Sequence, residues 1–272
     1  MTAYQSVQKY LDSIHLPRKD SHKGENGKLL LIGGSELFHA ASAWSLSIAS
    51  RIVDMVFYSS VPENNALIVE AKKHFWDGVV VPRGDVESYL KEADCVLIGP
   101  GMTRDEKTTE LTNTLLQKYP TKKWVIDAGA LQMVNPSLLT SSMIITPHHQ
   151  EFLRVFGVEV TNEKVMQAQS KKYGNVVILV KGPTDYVVSG DQLVSFEGGN
   201  EGMTKGGTGD VLAGLVAALY CTNEAFSSAV VGSFLNKKAG EALYASVGPF
   251  FNATDLVGQL PKTMAEILVS SS

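Results

Sequence analysis

The segment from Asn200 to Leu219, NEGMTKGGTGDVLAGLVAAL, concentrates the residue types that do chemistry. Gly202, Gly206, Gly207 and Gly209 crowd in front of an apolar helical run, and Gly207-Thr208-Gly209-Asp210 is expected to form its entrance. Unpaired backbone N–H groups and the positive end of the helix dipole converge at such an entrance. Glycines let an anion come close, so the segment reads as a phosphate cradle. Asp210 carries two readings. An acid in the first turn stabilises the dipole or caps the helix. Beside a phosphate, the same carboxylate is placed to take a proton from an attacking hydroxyl. The string lacks the Gly-Lys-Ser/Thr ending of a Walker A loop, does not spell GxGxxG, and stands late in the chain.

The elements before it must position that entrance. Short β-branched runs begin at Lys28, Val53, Gly78, Cys95, Lys123, Met143 and Val176. Most are apolar at consecutive positions, the pattern of strands covered on both faces of a parallel sheet. Helical patterns lie between them, at Ala40 to Arg51, Arg104 to Gln117 and Asn162 to Lys172. The expected class is α/β with a mostly parallel central sheet. Asp185 to Gly198 reads as a hairpin turning at Ser189-Gly190-Asp191. After it come helices only: Thr208 to Tyr220, Glu224 to Tyr244, and a pair from Asn252 onward. Strand after strand stops in glycine or small polar residues (GGS, GPG, DAG, TPHH, KGPTD), and ligands of open α/β sheets bind at carboxyl strand ends. Each such glycine is by itself also an ordinary turn residue.

Composition narrows the function classes. The 272 residues carry a formal charge of -4, with 44% apolar and 19% charged residues, an ordinary globular balance. That charge speaks against a nucleic-acid partner. Cys95 and Cys221, each in an apolar run, make neither a disulfide framework nor a zinc site and fit a reduced, cytoplasmic setting. The polar N-terminus has no signal-peptide core, and the longest apolar stretch, Val211 to Cys221, is too short to span a membrane. No linker or repeat appears, so one domain over residues 1–272 is expected.

Several strings taken together are more specific than any one of them. HKGENGKLLLIGGSELFHAA, VLIGPGM, VIDAGAL, ITPHHQEF, VKGPTD and GNEGMTKGGTGDVLAG occur in this order. GGTGD opening a small-residue helix resembles the anion hole of the ribokinase-like superfamily. The ordered set resembles one family in it, the ADP/ATP-dependent NAD(P)H-hydrate dehydratases. The resemblance implies a three-layer α/β/α sandwich. It also implies a repair reaction, in which the ring hydroxyl of NADHX or NADPHX is removed as ADP or ATP gives AMP or ADP plus phosphate. Hydroxide leaves poorly, whereas a phosphorylated oxygen leaves readily, and the ring nitrogen pushes electrons as it goes.

Carried over by this resemblance, Asp210 is the general base and lies beside the hydrate. Gly207, Thr208 and Gly209 offer backbone N–H groups to the phosphoryl in flight. Ala41, Gly101 and His148 match substrate contacts. Lys181, Gly182, Pro183, Thr184 and Asp185, with Gly209, match the adenylate-binding positions. Glu151 either holds a metal-bound water or caps the next helix, and Asn200 shapes the loop. Mg²⁺ is implied as cofactor, with no ligand identified. A homo-tetramer, and a separate epimerase for the other epimer, are implied as partners. The sequence departs from the family pattern at Ala40, Gln150 and Thr204-Lys205; Lys205 either adds charge near phosphate or points to solvent. Two rivals stand: a hydroxyethylthiazole- or pyridoxine-type kinase using the same cradle, and a nucleotide-sensing module without turnover.

Overall fold

The computed structural model describes residues 3–75 and 77–269. Its centre is one nine-stranded sheet. In chain order the strands are β1 (Lys28–Ile32), β2 (Met55–Ser59), β3 (Val79–Val80), β4 (Cys95–Ile98), β5 (Lys123–Ile126), β6 (Met143–Ile145), β7 (Val177–Val180), β8 (Thr184–Ser189) and β9 (Gln192–Glu197). Across the sheet they run β3-β2-β1-β4-β5-β6-β7-β8-β9. Strands β1 to β7 are parallel; β8 and β9 form the antiparallel hairpin read from the sequence.

Neighbouring residues on a strand point to opposite faces, so the consecutive apolar runs demand a cover on each side. Leu29 and Leu31 belong to one core, and Leu30 and Ile32 to another. The first core is closed by α2 (Ala40–Ala49), α9 (Thr208–Thr222), α10 (Ala225–Val247) and α11 (Ala253–Met264), with α1 (Ala3–Leu11) and α3 (Pro62–Ala71) beside them. The second is closed by α4 (Val86–Glu92), α5 (Glu106–Lys118), α6 (Ala128–Met133), α7 (His149–Phe156) and α8 (Glu163–Lys172). This is the three-layer arrangement. Helix α9 is buried along Val211 to Cys221, so its small residues serve the core of this chain. The pair of helices expected after Asn252 is one helix, α11, whose last turns at Ala265–Val269 widen to π geometry.

The strand order reverses at β1, which lies between β2 and β4. The loops after β1 and β4 therefore diverge and open a crevice there. Behind it, Asn64 Nδ2 donates to Tyr58 Oη at 2.9 Å and to Ser60 Oγ at 3.0 Å, and Gly34 rests on this pair. HKG, by contrast, sits at the amino end of the sheet: Gly24 and Asn26 donate backbone N–H groups to Asp54, just ahead of β2. Its match marks the family without touching the crevice. No described helix is long and apolar enough to cross a membrane.

The end of β4 tolerates no side chain. Gly99 has φ 125°, and a Cβ there would stand 1.8 Å from the Asp127 carbonyl oxygen. Gly99→Ala is expected to lower stability by about 3 kcal/mol and to displace Asp127. Chemical denaturation checks the first effect; an unchanged midpoint would show that the loop yields freely.

Candidate functional site

The mouth of α9 is built as the glycine pattern suggests. Gly207 is its N-cap with φ 97°, a conformation that favours glycine, and a Cβ there would strike the Trp44 ring at 2.3 Å. The first helical bond runs from Val211 N to Gly207 O, so the amides of Thr208, Gly209 and Asp210 precede the helical ladder. The Thr208 hydroxyl donates to the carbonyls of Met203 and Lys205 and ties the preceding loop to the mouth. Lys205 turns away from the mouth: its Nζ donates to the Pro249 carbonyl and lies over the Phe251 ring.

A cavity of about 680 Å³ opens at this mouth, lined by Thr208 and Gly209 together with His148, Lys181, Gly182, Pro183 and Asp185. Thus five of the six expected adenylate positions border one space, and Thr184 does not. Ala41 and Gly101 lie elsewhere, against each other at the β1/β4 crevice: a Cβ on Gly101 would stand 3.2 Å from that of Ala41. Asp210 follows the cavity-lining Gly209 in the chain, and its backbone is tied to the crevice side. Ser45 of α2 donates to its carbonyl oxygen at 2.7 Å, and Ser45 also reaches the Ala41 carbonyl at 3.4 Å.

Four charged side chains meet here. Lys181 Nζ donates to Asp127 Oδ1 at 3.0 Å and lies 3.9 Å from Glu151 Oε2. Asp127 is 2% exposed and also accepts from Thr146 Oγ1 at 2.7 Å. Burial alone would lower Lys181, but Asp127, Glu151 and Asp210 outweigh it and hold the ammonium above its ordinary value. Burial pushes the Asp210 carboxyl up to about 7; Asp127 and Glu151 add to this and Lys181 opposes it. Asp210 is therefore no ordinary capping acid, because near neutral pH it exchanges a proton readily.

His148 and Glu151 form a capping box on α7, with Glu151 N donating to His148 Nδ1 at 3.3 Å and His148 N to Glu151 Oε2 at 3.0 Å. Glu151 thus caps the next helix, and its carboxylate also accepts from Gln132 Nε2 at 3.1 Å. Asn200 bonds Gly202 N and the Gly240 carbonyl and shapes the loop. Asp185 lines the cavity but is 4% exposed and fully engaged: it accepts from Ser233 Oγ at 2.5 Å and Gly182 N at 2.9 Å, and pairs with Lys237 at 3.3 Å. Lys237 in turn donates to the Gly182, Pro183 and Gly198 carbonyls. Asp127 and Lys237 were not singled out from sequence. The signals were a carboxylate ending the VIDAG strand and a lysine inside the apolar FLNKKAG stretch. Among the described residues no three His, Cys, Asp or Glu side chains form a metal cage. Any divalent cation must take most of its ligands from a phosphate and water, as Mg²⁺ commonly does.

Comparison with known proteins bears on this geometry. A family model described as NAD(P)H-hydrate dehydratase matches residues 29–262. The chain is similar to the bifunctional NAD(P)H-hydrate repair enzyme Nnr of Methanocaldococcus jannaschii, 34% identical over 265 residues that cover 93% of this chain and 51% of that one. It thus spans about half the length of the bifunctional relatives it matches. It is 32% identical over 278 residues to the ADP-dependent (S)-NAD(P)H-hydrate dehydratase of Nitrosopumilus maritimus, covering 95% of this chain and 94% of that one. Among solved structures, the ADP/ATP-dependent NAD(P)H-hydrate dehydratase of Bacillus subtilis, co-crystallized with ATP/Mg²⁺, matches with a TM-score of 0.78 at 21% identity, over 96% of this chain and 97% of that one. That likeness is one of fold, the ribokinase-like sandwich.

Two consequences are measurable. The raised Asp210 carboxyl makes its ionised form a cost to the fold, absent below about pH 4 and complete above pH 7. Asp210→Asn should therefore gain on wild type by roughly 1–4 kcal/mol between pH 4 and pH 8 in denaturation midpoints. A gap constant with pH would show that Asp210 titrates as an ordinary carboxyl. Lys237→Met strands the Asp185 charge in the interior and should cost about 3–5 kcal/mol; a thermal midpoint like that of wild type would remove Lys237 from the frame of the loop.

Proposed function

This chain belongs to the NAD(P)H-hydrate dehydratase family, and we propose that it catalyses the ADP- or ATP-dependent dehydration of (S)-NADHX or (S)-NADPHX to NADH or NADPH. The observation that carries the reading is the placement of Asp210, a carboxyl that burial pushes up to about 7, at the mouth of α9, where Thr208 and Gly209 line the same cavity as Lys181.

In this reading the nucleotide lies in the cavity against Lys181 to Asp185 and Gly209, and the hydrate lies in the crevice of Ala41 and Gly101, with His148 at the rim. Asp210 accepts the proton of the ring hydroxyl as its oxygen bonds to the terminal phosphorus and the bond to the leaving nucleotide breaks. The amides of Gly207, Thr208 and Gly209 stabilise the equatorial oxygens of the migrating group. Lys181, anchored by Asp127, adds a fixed positive charge. The ring nitrogen then expels the phosphate, and the neighbouring ring carbon loses a proton as the double bond forms. Asp127 and Glu151 together exceed the charge of Lys181, so the cluster does not neutralise a polyphosphate. A Mg²⁺ carried by the nucleotide would supply that neutralisation. The proposed setting is cytoplasmic and the proposed assembly a homo-tetramer, with a separate epimerase supplying the reactive epimer; the bifunctional relatives, about twice as long, join two activities on one chain.

The test is direct. With ADP or ATP, Mg²⁺ and NADHX, the absorbance of reduced nicotinamide should return. Asp210→Ala should lower kcat by about 10²–10⁴-fold, the range for loss of a general base, while nucleotide binding persists. Turnover of a vitamin alcohol with ATP, and none of the hydrate, would reverse the reading in favour of a kinase. Nucleotide binding without any turnover by the wild type would leave a sensing module.

A further inference from the structure

Asn236 of α10 borders the cavity, yet it is only 5% exposed and its carboxamide oxygen has no partner among the described residues. An unpaired buried amide oxygen is destabilising. As placed, that oxygen is closed off from the cavity, and a half-turn of the carboxamide, which exchanges its oxygen and nitrogen, brings it to the face that borders the cavity. Its surroundings indicate which part of a ligand. Helices α9 and α10 are joined by the short turn at residues 223–224 and pack closely, since a Cβ on Gly232 would lie 2.7 Å from Val216. In an antiparallel pair, one turn forward from Gly232 and one turn back from Val216 brings Asn236 opposite Leu212, which also lines the cavity. Gly240, one turn beyond Asn236 on the same face, meets Met203, another lining residue. Leu212 is one helical turn, about 6 Å, beyond Thr208. The cavity thus presents Lys181 and backbone amides at the α9 mouth, and near Asn236 the apolar side chains of Leu212 and Met203 beside the buried Asp185–Lys237 pair.

We infer that Asn236 is a specificity-determining residue that reads the base of the bound nucleotide, its carboxamide pairing with the exocyclic amino group and a neighbouring ring nitrogen of adenine. This rests on the nucleotide occupying the cavity as proposed above. A carboxamide offers one acceptor and two donors, the complement of an adenine edge that presents N–H beside a bare ring nitrogen. Its terminal torsion is broad and two-fold, so a half-turn exchanges which atom meets the base. The planar ring fits against Leu212 and Met203, and the phosphates extend to Lys181 and the α9 amides.

Equilibrium binding of ADP and of purine riboside 5′-diphosphate, which lacks the amino group, to wild type and to Asn236→Leu tests this. Wild type should prefer ADP by about 10-fold, the usual worth of one buried neutral hydrogen bond left unpaired. Asn236→Leu should bind the two nucleotides equally, with ADP weakened by a similar factor. Its ligand-free Tm should be no lower than that of wild type, because leucine of the same size removes an unpaired polar atom. A variant that keeps the preference for ADP overturns the assignment while leaving the nucleotide site in place, and so does a lower Tm with an intact preference, which marks a purely structural asparagine. Wild type that binds neither nucleotide overturns the site itself, and that outcome is read before any variant is made.

Discussion

One ammonium group organises this site. Lys181 is shared by Asp127, Glu151 and Asp210, three carboxyl groups delivered by the end of β5, the start of α7 and the start of α9. Without it, Asp127 would be a buried charge with only Thr146 to satisfy it, and the α7 and α9 mouths would present acids to one another. With it, the carboxylates differ in role. Asp127 is held by a cation and a hydroxyl, Glu151 by its helix cap, and burial pushes the Asp210 carboxyl up to about 7. Separation of roles by environment lets carboxyl groups of one chemical type do different work in one place.

The sheet sets where these groups can meet. Parallel strands carry their loops out at one edge, and β5, β6 and β7 are neighbours, so Asp127, Pro147-His148 and Lys181 arrive side by side. Lys181 N donates to the Pro147 carbonyl at 2.9 Å, which locks two of these loops in register beyond the end of the strands. The second region, at Ala41 and Gly101, follows from the reversal of strand order at β1. Helix α9 comes from the far end of the chain and packs against α2, so its mouth lies between the two regions. In the proposed reaction the two ligands would lie on opposite sides of the α9 mouth, the geometry that a transfer between two bound molecules requires.

Much of this was legible in the residues. Consecutive apolar runs announce strands covered on both faces, and the glycines before Thr208 announce a helix mouth, because both are local consequences of backbone and burial. Less legible were α3, α4 and α7. The α3 segment PENNALIVEA buries only Asn64 and Ile68, so no apolar face shows in its sequence, and α4 is seven residues long. Helix α7 is set by a histidine N-cap, an unusual capping residue, within a string that matched a family motif for other reasons. The strand at Gly78 shrinks to Val79–Val80 because it is the sheet edge, with a neighbour on one side only.

Motif positions also do structural work, and the physics shows why. Asp185 falls in the string that matches an adenylate loop, but its oxygens are spent on Ser233, Gly182 N and Lys237. The loop at residues 181–185 must leave β7 and re-enter the sheet as β8 within a few residues, which turns its carbonyls inward. Lys237 gathers those of Gly182 and Pro183 together with that of Gly198, and Asp185 neutralises the charge that does so. A buried ion pair of this kind is a poor source of net stability, because desolving two charges offsets most of their attraction. What it does supply is a tie, one ammonium holding three carbonyls and a carboxylate together. A string can thus persist at a ligand site because it builds the wall, while the residue facing the ligand, as argued for Asn236, comes from a helix that no loop motif contains.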